Sequence, residues 1–325
     1  MFSVFRLLAP ALAVALSMSP ASAAPAGFVD PLVLPAQPSP LASRTLVNGV
    51  AAAGKRLVAV GQRGHVLYSD DQGGSWRQAS VPLSTDLVAL TFADAHEGWA
   101  VGHDAVVLHT TDGGASWRRQ YDGRRDVLAG DKPLLDIWFD NAGHGLAIGA
   151  FGLALRSDDR GRSWRHCEEL LDNPRALHLN AIRMVGDALY IVGEQGLVLR
   201  RTAGAERFEA LPTPYQGSFL GVTGDARTLL VYGLRGTALH SEDGGRNWQR
   251  ANTGTQTGLT AGAVLADGAL LLVSQSGQLL RSRDGGASFA PMAGIPPGSA
   301  AAALPLDSQR LLIGGARGLR VQPLK

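Results

Sequence analysis

Carboxylates recur along this chain at one fixed place in a repeated motif. The motif is Ser/Thr-x-Asp-x-Gly-x-Ser/Asn-Trp/Phe, and its five good copies carry the aspartates Asp71, Asp112, Asp159, Asp243 and Asp284. Repeated carboxylates could bind a metal ion or act as catalytic acids and bases. Identical turns around a symmetric body do not converge on one point, however. We therefore predict that these aspartates form β-turns, in which Asp and Ser bond to nearby backbone and Gly adopts positive φ.

Other residue types give no stronger signal for catalysis. The chain has no Gly-x-Ser-x-Gly elbow, His-Glu-x-x-His motif, Walker loop or Cys/His cluster. The eight histidines are scattered, and His109 and His240 stand at equivalent repeat positions, which favours surface or packing roles. Cys167 is the one cysteine, so no intramolecular disulfide can form. We predict no catalytic residue, no metal ion and no cofactor.

The spacing of the aromatic residues indicates which elements position these motifs. Five aromatics each follow a glycine by fifteen residues: Gly61 and Trp76, Gly102 and Trp117, Gly149 and Trp164, Gly193 and Phe208, Gly233 and Trp248. Ser274 precedes Phe289 by the same step, and a seventh copy begins at Gly314. Units of about 40 residues hold four short strands, so the repeat predicts an all-β, seven-bladed β-propeller of four-stranded blades. An open solenoid would need polar capping repeats, and neither end of the chain resembles one.

The repeated turn motif resembles the Asp-box, or bacterial neuraminidase repeat. The repeats span roughly residues 45–325, and the fourth unit, 201–208, keeps the aromatic but lacks the Asp and Gly. In known families this motif joins the third and fourth strands of a propeller blade, so the resemblance implies the same placement here.

The seventh repeat is too short for four strands. It offers the apolar segments 300–304, 311–314 and 318–322 and then ends. We predict that an N-terminal strand at residues 27–35 completes this last blade and closes the ring, with residues 36–44 as a linker.

The N-terminus has the pattern of a secretory signal peptide, predicted at residues 1–23. Arg6 is its one charge, residues 7–16 are mostly apolar, and residues 21–23 are small enough for cleavage. After cleavage, residues 24–325 would form one exported propeller domain, periplasmic and monomeric. A retained N-terminal anchor is the alternative to cleavage. With 30 basic and 28 acidic residues, the charge balance favours neither nucleic acid nor a membrane surface as a partner.

One face of the predicted propeller carries most of the variation between repeats. The loops 121–133 and 166–178 are longer than their counterparts, and the turns between second and third strands repeat Gly-x-Arg-Gly. Length variation on one face of a repeat array often marks the binding side. The candidate partner-binding residues on it are Arg63, Arg235, Arg317, Arg124, Arg125 and Phe151. A solvated arginine inherited with the repeat is the alternative.

The repeat, the seven units and the export signal together resemble the photosystem II stability/assembly factor family. Members of that family are lumenal chaperones with an arginine-rich face for a newly made membrane protein, loosely matched by Arg63, Arg235 and Arg317. The resemblance implies a non-enzymatic scaffold that docks on a membrane-protein complex or its assembly intermediate, without a small-molecule cofactor.

A periplasmic glycoside hydrolase of sialidase type is the alternative function, because sialidases also carry Asp-boxes. That family has a Tyr/Phe-Arg-Ile-Pro motif and six blades, whereas this sequence lacks the motif after the signal peptide and has seven units. Retaining glycosidases generally need two carboxyl groups about 5 Å apart. No sequence feature nominates such a pair.

Overall fold

Seven antiparallel sheets, one from each repeat, make up the fold. The computed structural model describes residues 29–294 and 296–324, and its strands are as follows. The first four blades are β1 (Val47–Ala53), β2 (Arg56–Gly61), β3 (Val66–Ser69), β4 (Arg77–Gln78); β5 (Leu87–Phe92), β6 (Gly98–Gly102), β7 (Val107–Thr110), β8 (Arg118–Tyr121); β9 (Leu134–Phe139), β10 (Gly145–Gly149), β11 (Ala154–Ser157), β12 (Arg165–His166); β13 (Leu179–Val185), β14 (Ala188–Gly193), β15 (Val198–Thr202), β16 (Glu209–Ala210). The last three are β17 (Phe219–Gly224), β18 (Leu229–Gly233), β19 (Ala238–Ser241), β20 (Gln249–Arg250); β21 (Leu259–Val264), β22 (Leu270–Ser274), β23 (Leu279–Ser282), β24 (Ala290–Pro291); β25 (Ala302–Pro305), β26 (Arg310–Gly315), β27 (Gly318–Pro323). Strands follow chain order within every sheet, which confirms the seven-bladed propeller.

The second strand of each blade forms the core. Strands β6, β10, β14, β18 and β22 are buried along their whole length. A strand covered on both faces by neighbouring blades needs a continuous apolar run rather than alternation. This explains runs such as residues 270–273, which are Leu-Leu-Leu-Val.

Neighbouring blades are also joined by polar contacts at the centre of the ring. Each four-stranded blade has a bulge after the first residue of its innermost strand. Where the bulged residue is polar, it bonds to the next blade. Asn48 Nδ2 donates to the Leu87 carbonyl at 2.9 Å, Asn180 Nδ2 to the Phe219 carbonyl at 2.7 Å, and Thr260 Oγ1 to the Ala300 carbonyl at 2.9 Å. At these bulges, the side chain of the extra residue on the inner strand forms a hydrogen bond with the next blade.

The Asp-box turns have the predicted geometry. In the first, Asp71 accepts from the Ser69 hydroxyl at 2.8 Å, the Ser75 backbone N–H at 2.8 Å and the Ser75 hydroxyl at 2.6 Å. Gly73 has φ of +90° and donates its N–H to Ser69 Oγ at 2.8 Å. The other four boxes repeat these bonds. Each carboxylate is committed to its own turn.

The last blade differs from the prediction. Strands β25, β26 and β27 form a three-stranded sheet among the described residues, and residues 29–35 contain no strand. Asp30 closes a turn with two of its oxygens. Its carboxylate accepts from the Leu32 N–H at 2.8 Å, and its backbone carbonyl accepts from the Val33 N–H at 3.0 Å. Prolines at 31, 35, 38 and 40 have no N–H to donate to a sheet. The predicted closing strand is therefore wrong for the described part of the segment.

The N-terminal segment packs instead against the first two blades. Leu32 is 3% exposed within their shared core, and Ala36 donates its N–H to the Val81 carbonyl at 3.1 Å. A short 3-10 turn, Ala42–Arg44, then leads into β1. The ring closes by packing of β1 beside β25 and β26. No helix in the described part of the chain has the length and apolarity needed to cross a membrane. The predicted signal peptide lies outside the described residues.

Candidate partner-binding face

Strand alternation separates the loops onto two faces of the ring. Because each blade is an antiparallel meander, its first-to-second and third-to-fourth turns share one face, which holds the Asp-boxes. The second-to-third turns and the connections between blades share the other. We call this second surface the loop face. It comprises the turns at residues 62–64, 103–105, 150–152, 194–196, 234–236, 275–277 and 316–317 together with the connections between blades.

Five turns of the loop face share one backbone shape with a left-handed residue at the centre. Arg63, Asp104, Phe151, Gln195 and Arg235 have φ between 52° and 57°. This conformation costs a non-glycine residue about 1 kcal/mol, so the surroundings must hold it. In the first turn, the Gln62 N–H donates to the Leu46 carbonyl at 3.2 Å and the Gly61 N–H to the His65 carbonyl at 3.0 Å. The backbone fixes the turn, so the central side chain can vary, and in four of the five turns it is exposed, the exception being Asp104.

These turns display three of the predicted binding residues. Arg63, Phe151 and Arg235 are exposed, and Phe151 is exposed at 60%. Among the described residues, neither guanidinium makes a hydrogen bond or an ion pair. The Phe151 ring packs edge-on against His178, with ring centroids 4.6 Å apart. The turns thus present two exposed arginine side chains and one exposed apolar side chain on a backbone fixed by hydrogen bonds.

Arg317 reaches the loop face by a different turn. Gly315 pairs with Gly318, so Ala316 and Arg317 form a two-residue hairpin between β26 and β27. The Arg317 side chain is exposed and has no polar partner among the described residues. Its blade neighbours that of Arg63 in the closed ring, as the repeat order predicts.

Arg124 and Arg125 are adjacent in sequence but differ in environment. Arg124 Nη2 lies 2.9 Å from Asp122 Oδ2, and Arg124 Nη1 lies 3.3 Å from Asp30 Oδ2. The Asp122 carboxylate raises the pKa of Arg124, with a smaller contribution from Asp30. Arg125 is exposed without an ion pair in the described part of the chain. Arg124 therefore tethers the N-terminal segment, and Arg125 is the cation of this loop that remains open to a partner.

A polar cluster that the sequence did not predict joins the two long loops. His166 Nε2 lies 2.8 Å from Asp126 Oδ2, and His166 Nδ1 lies 2.8 Å from Glu168 Oε1. The Tyr121 hydroxyl donates to Asp126 as well. Partial burial opposes the imidazolium charge, but the bonds and charges of Glu168 and Asp126 outweigh it and raise the pKa of His166. Burial opposes ionisation of Asp126 too, yet bonds from Tyr121 and His166 lower its pKa to about 2. The loops are held together by a charge-assisted network.

The same loops expose apolar side chains. Val127 is 99% exposed and Leu128 is 63% exposed, both in the connection between the second and third blades. Leu234 is 44% exposed beside Arg235. Together with Phe151 they give the loop face an apolar component. Of these four residues, the sequence predicted only Phe151 as a binding residue. Apolar side chains mixed with arginine are the composition of protein interfaces.

The central channel holds one ion pair. The channel has a volume of about 370 Å³ and is lined by the innermost strands. Asp136 accepts from Arg183 and, at 2.8 Å, from the Ile182 N–H, while half of the Arg183 side chain faces the channel. The Asp136 carboxylate raises the pKa of Arg183. Asp136 is the one carboxylate lining the channel among the described residues, whereas a retaining glycosidase uses two.

The family model of the photosynthesis system II assembly factor YCF48 matches residues 53–125 and 124–216, together about half of the chain. The chain belongs to this assembly factor family. No curated protein matches the sequence.

Solved structures confirm the propeller fold of this family member. YCF48 bound to D1 peptide superposes with a TM-score of 0.70 at 20% identity, covering 87% of this chain and 94% of that one. YCF48 from Cyanidioschyzon merolae gives 0.67 at 17%, covering 87% and 96%. The WD40 propeller domain of Doa1 gives 0.66 at 12%, covering 90% and 96%. The last match shows that such similarity establishes the fold and not the function.

The lone cysteine of this family member is buried beside the polar cluster. Cys167 is 2% exposed, and burial, with smaller contributions from Glu168 and Glu169, raises the pKa of its thiol to about 12. A buried thiol with a raised pKa is unreactive. His109 and His240 are buried as well, so of the two predicted roles, surface or packing, the structure supports packing.

Proposed function

We propose that this chain is an exported, non-enzymatic scaffold of the periplasm that docks a membrane-protein complex, or its assembly intermediate, through the loop face. Membership of the YCF48 assembly factor family is the observation that carries the proposal. A solved YCF48 carries a D1 peptide, which is a precedent for a propeller of this fold holding a segment of another protein. We expect this chain to act as a monomer without a cofactor.

The proposed anchors are Arg63, Arg125, Arg235 and Arg317, with Phe151 as an apolar contact. Their side chains project from backbone turns that are already fixed, so binding orders few main-chain atoms. Pre-organisation of this kind lowers the entropic cost of association. Arginine forms bidentate bonds with carboxylates and stacks on planar groups, which suits a segment that carries acidic and aromatic residues.

Arg124 has a supporting place in this proposal. Its bonds to Asp122 and Asp30 hold the loop that carries Arg125, Val127 and Leu128. Loss of the Arg124 side chain would therefore disturb the presentation of the anchors rather than remove one.

Affinity capture from detergent-solubilised envelope tests the proposal. The bait is the processed protein, compared with a variant in which Arg63, Arg235 and Arg317 are replaced by Glu. A matched control carries the same change at three exposed arginines on the Asp-box side of the blades, Arg77, Arg162 and Arg246. All three baits must show similar melting temperatures.

We expect wild type and the control to retain the same membrane complex and the loop-face variant to lose it. Loss from the control instead would place docking on the Asp-box face. If none of the three baits retains a complex, the result would contradict the scaffold function.

A further inference from the structure

The fourth blade is the one four-stranded blade whose third-to-fourth turn lacks the Asp-box, and a groove lies beside this turn. Arg201, Ala203, Ala205 and Arg207 stand where the motif has Ser/Thr, Asp, Gly and Ser. The turn closes by a different bond, from the Ala205 N–H to the Thr202 carbonyl at 3.1 Å. Beside it, between the third and fourth blades, lies a groove of about 400 Å³. It lies on the Asp-box face, opposite the loop face.

At other junctions the Asp-box receives side chains from the preceding blade. Arg56 Nη1 donates to the Asp112 carbonyl at 3.1 Å, Trp99 Nε1 to the Arg160 carbonyl at 3.3 Å, and Arg200 Nη1 to the Gly244 carbonyl at 3.1 Å. The first and second, the second and third, and the fourth and fifth blades are joined in this way.

At the third-to-fourth junction that contact is missing. Arg156 pairs with Leu146 across strands as Arg200 pairs with Tyr190, so the two arginines are equivalent. Arg156 Nε donates at 2.8 Å to Asp158 of its own blade. The groove edge is therefore left without a bond to the fourth blade from this position.

Arg201 lies in the groove and forms no direct ion pair among the described residues. Its guanidinium carbon is 5.0 Å from the Phe208 ring centroid and 5.9 Å from the Trp138 ring centroid. It makes no hydrogen bond or ion pair to any described residue. Partial burial lowers the pKa of Arg201 and the charge of Arg156 lowers it further, while the charge of Asp140 opposes both. A partly buried guanidinium with no acceptor in the described part of the chain can bind an acceptor supplied from outside.

The surroundings of Arg201 indicate what kind of acceptor fits. Trp138 and Met184 line the groove, and Met184 is 48% exposed. Asp140 and Asp187 stand at the rim, and Asp140 is already paired with His144 at 2.8 Å. The rim carboxylates repel a polyanion more strongly than a ligand with a single carboxylate, and apolar neighbours of that carboxylate can contact Trp138 and Met184. The groove is also open, unlike the enclosed pockets that bury most of a small ligand.

We propose that the groove between the third and fourth blades binds an extended segment of a partner protein, with one carboxylate on Arg201 and flanking apolar side chains on Trp138 and Met184. This site is separate from the loop face and does not depend on docking there. It would let the propeller hold two protein segments at once, one on each face.

A peptide array tests the site with the processed full chain. The probes are ten-residue peptides in which Leu, Phe, Met or Val flank a central Glu, Gln or Lys. The affinity of selected peptides is then measured by fluorescence anisotropy. We expect the central Glu to bind about tenfold more tightly than Gln, as a charge-assisted bond at a partly buried site gives.

Variants of the groove separate binding from folding. Arg201→Met keeps the apolar stem over Phe208 and should abolish the preference for Glu, whereas Arg201→Lys should keep part of it. Restoring the box with R201S, A203D, A205G and R207S removes the Arg201 cation and should abolish the preference for Glu without lowering the melting temperature. Arg77→Glu, at an exposed position of the first blade away from the groove, should change nothing.

Three outcomes would overturn the proposal. One is equal binding of Glu and Gln peptides, and another is a preference for Glu that survives Arg201→Met. The third is that pyrophosphate displaces the peptides and that the apolar flanks of the peptides have no effect on their affinity. Failure of the envelope capture through the loop face would leave this result unaffected, so the two proposals fail separately.

Discussion

The Asp-box aspartates are stabilising because they are charged, although they lie at the surface. Bonds from the Ser75 hydroxyl, the Ser75 N–H and the Ser69 hydroxyl lower the pKa of Asp71 to about 2. Asp159 and Asp284 show the same shift with the same causes. A carboxylate whose folded-state pKa is depressed stabilises the fold above its unfolded pKa, near 4. That stabilisation is lost as the pH falls through the folded pKa.

We therefore expect Asp71→Ala to lower the melting temperature at pH 7 by a few degrees. The gap between variant and wild type should narrow between about pH 4 and pH 2, because both proteins then lack the carboxylate. Thermal melts across this range measure the effect. Glu206→Ala, in the turn without a box, is the control and should match wild type at every pH. A constant gap down to pH 2 would show that the Asp71 charge is not what stabilises the turn.

At the scale of elements, the two long loops of the loop face are held by one histidine. His166 bonds to Asp126 in one loop and to Glu168 in its own, and both carboxylates favour its protonated form. Its folded-state pKa is raised, so its stabilisation is complete below the unfolded pKa near 6.5. That stabilisation is lost as the pH rises through the folded value.

His166→Gln should lower the free energy of unfolding by about 2 kcal/mol at pH 6, because bonds between charged groups are lost. The difference should shrink as the pH rises to 9. Hydrogen exchange of residues 121–133 should rise in the variant at pH 6. His96→Gln, an exposed histidine without a side-chain partner in the described residues, is the control. A difference that grows with pH would contradict this assignment.

Sequence reasoning reached the elements that repeat and missed those that do not. A step of fifteen residues from Gly61 to Trp76, repeated in later units, predicted blades and turns because each unit folds by the same local contacts. It could not separate Arg124 from Arg125, because the sequence does not show which of the two pairs with Asp122 and reaches Asp30, 94 residues away. The His166 network escaped prediction for the same reason, since Asp126 is 40 residues away.

At the scale of the whole molecule, the ring closes differently from the prediction. Residues 27–35 were assigned to the last blade because their apolar run matched a missing strand, but prolines and the Asp30 turn disfavour a sheet there. The segment reaches the first two blades instead. Ser84 donates its N–H to the Pro31 carbonyl at 2.8 Å, and Arg119 Nη1 donates to the Leu32 carbonyl at 2.6 Å. The segment therefore bridges the junction between the first two blades and does not supply a strand that closes the ring.

This arrangement predicts how the protein tolerates truncation. A chain that starts at Ser39 loses the burial of Leu32, worth about 2 kcal/mol, and bonds worth about 1 kcal/mol more. We expect its melting temperature to fall by roughly 5 °C while the transition stays cooperative. Leu32→Ala in the full chain should reproduce most of the loss, because it removes the buried side chain alone. Differential scanning calorimetry measures both variants. Complete unfolding of the truncated chain would mean that the N-terminal segment closes the ring after all, and an unchanged melting temperature would mean that its contacts with the first two blades do not stabilise the fold.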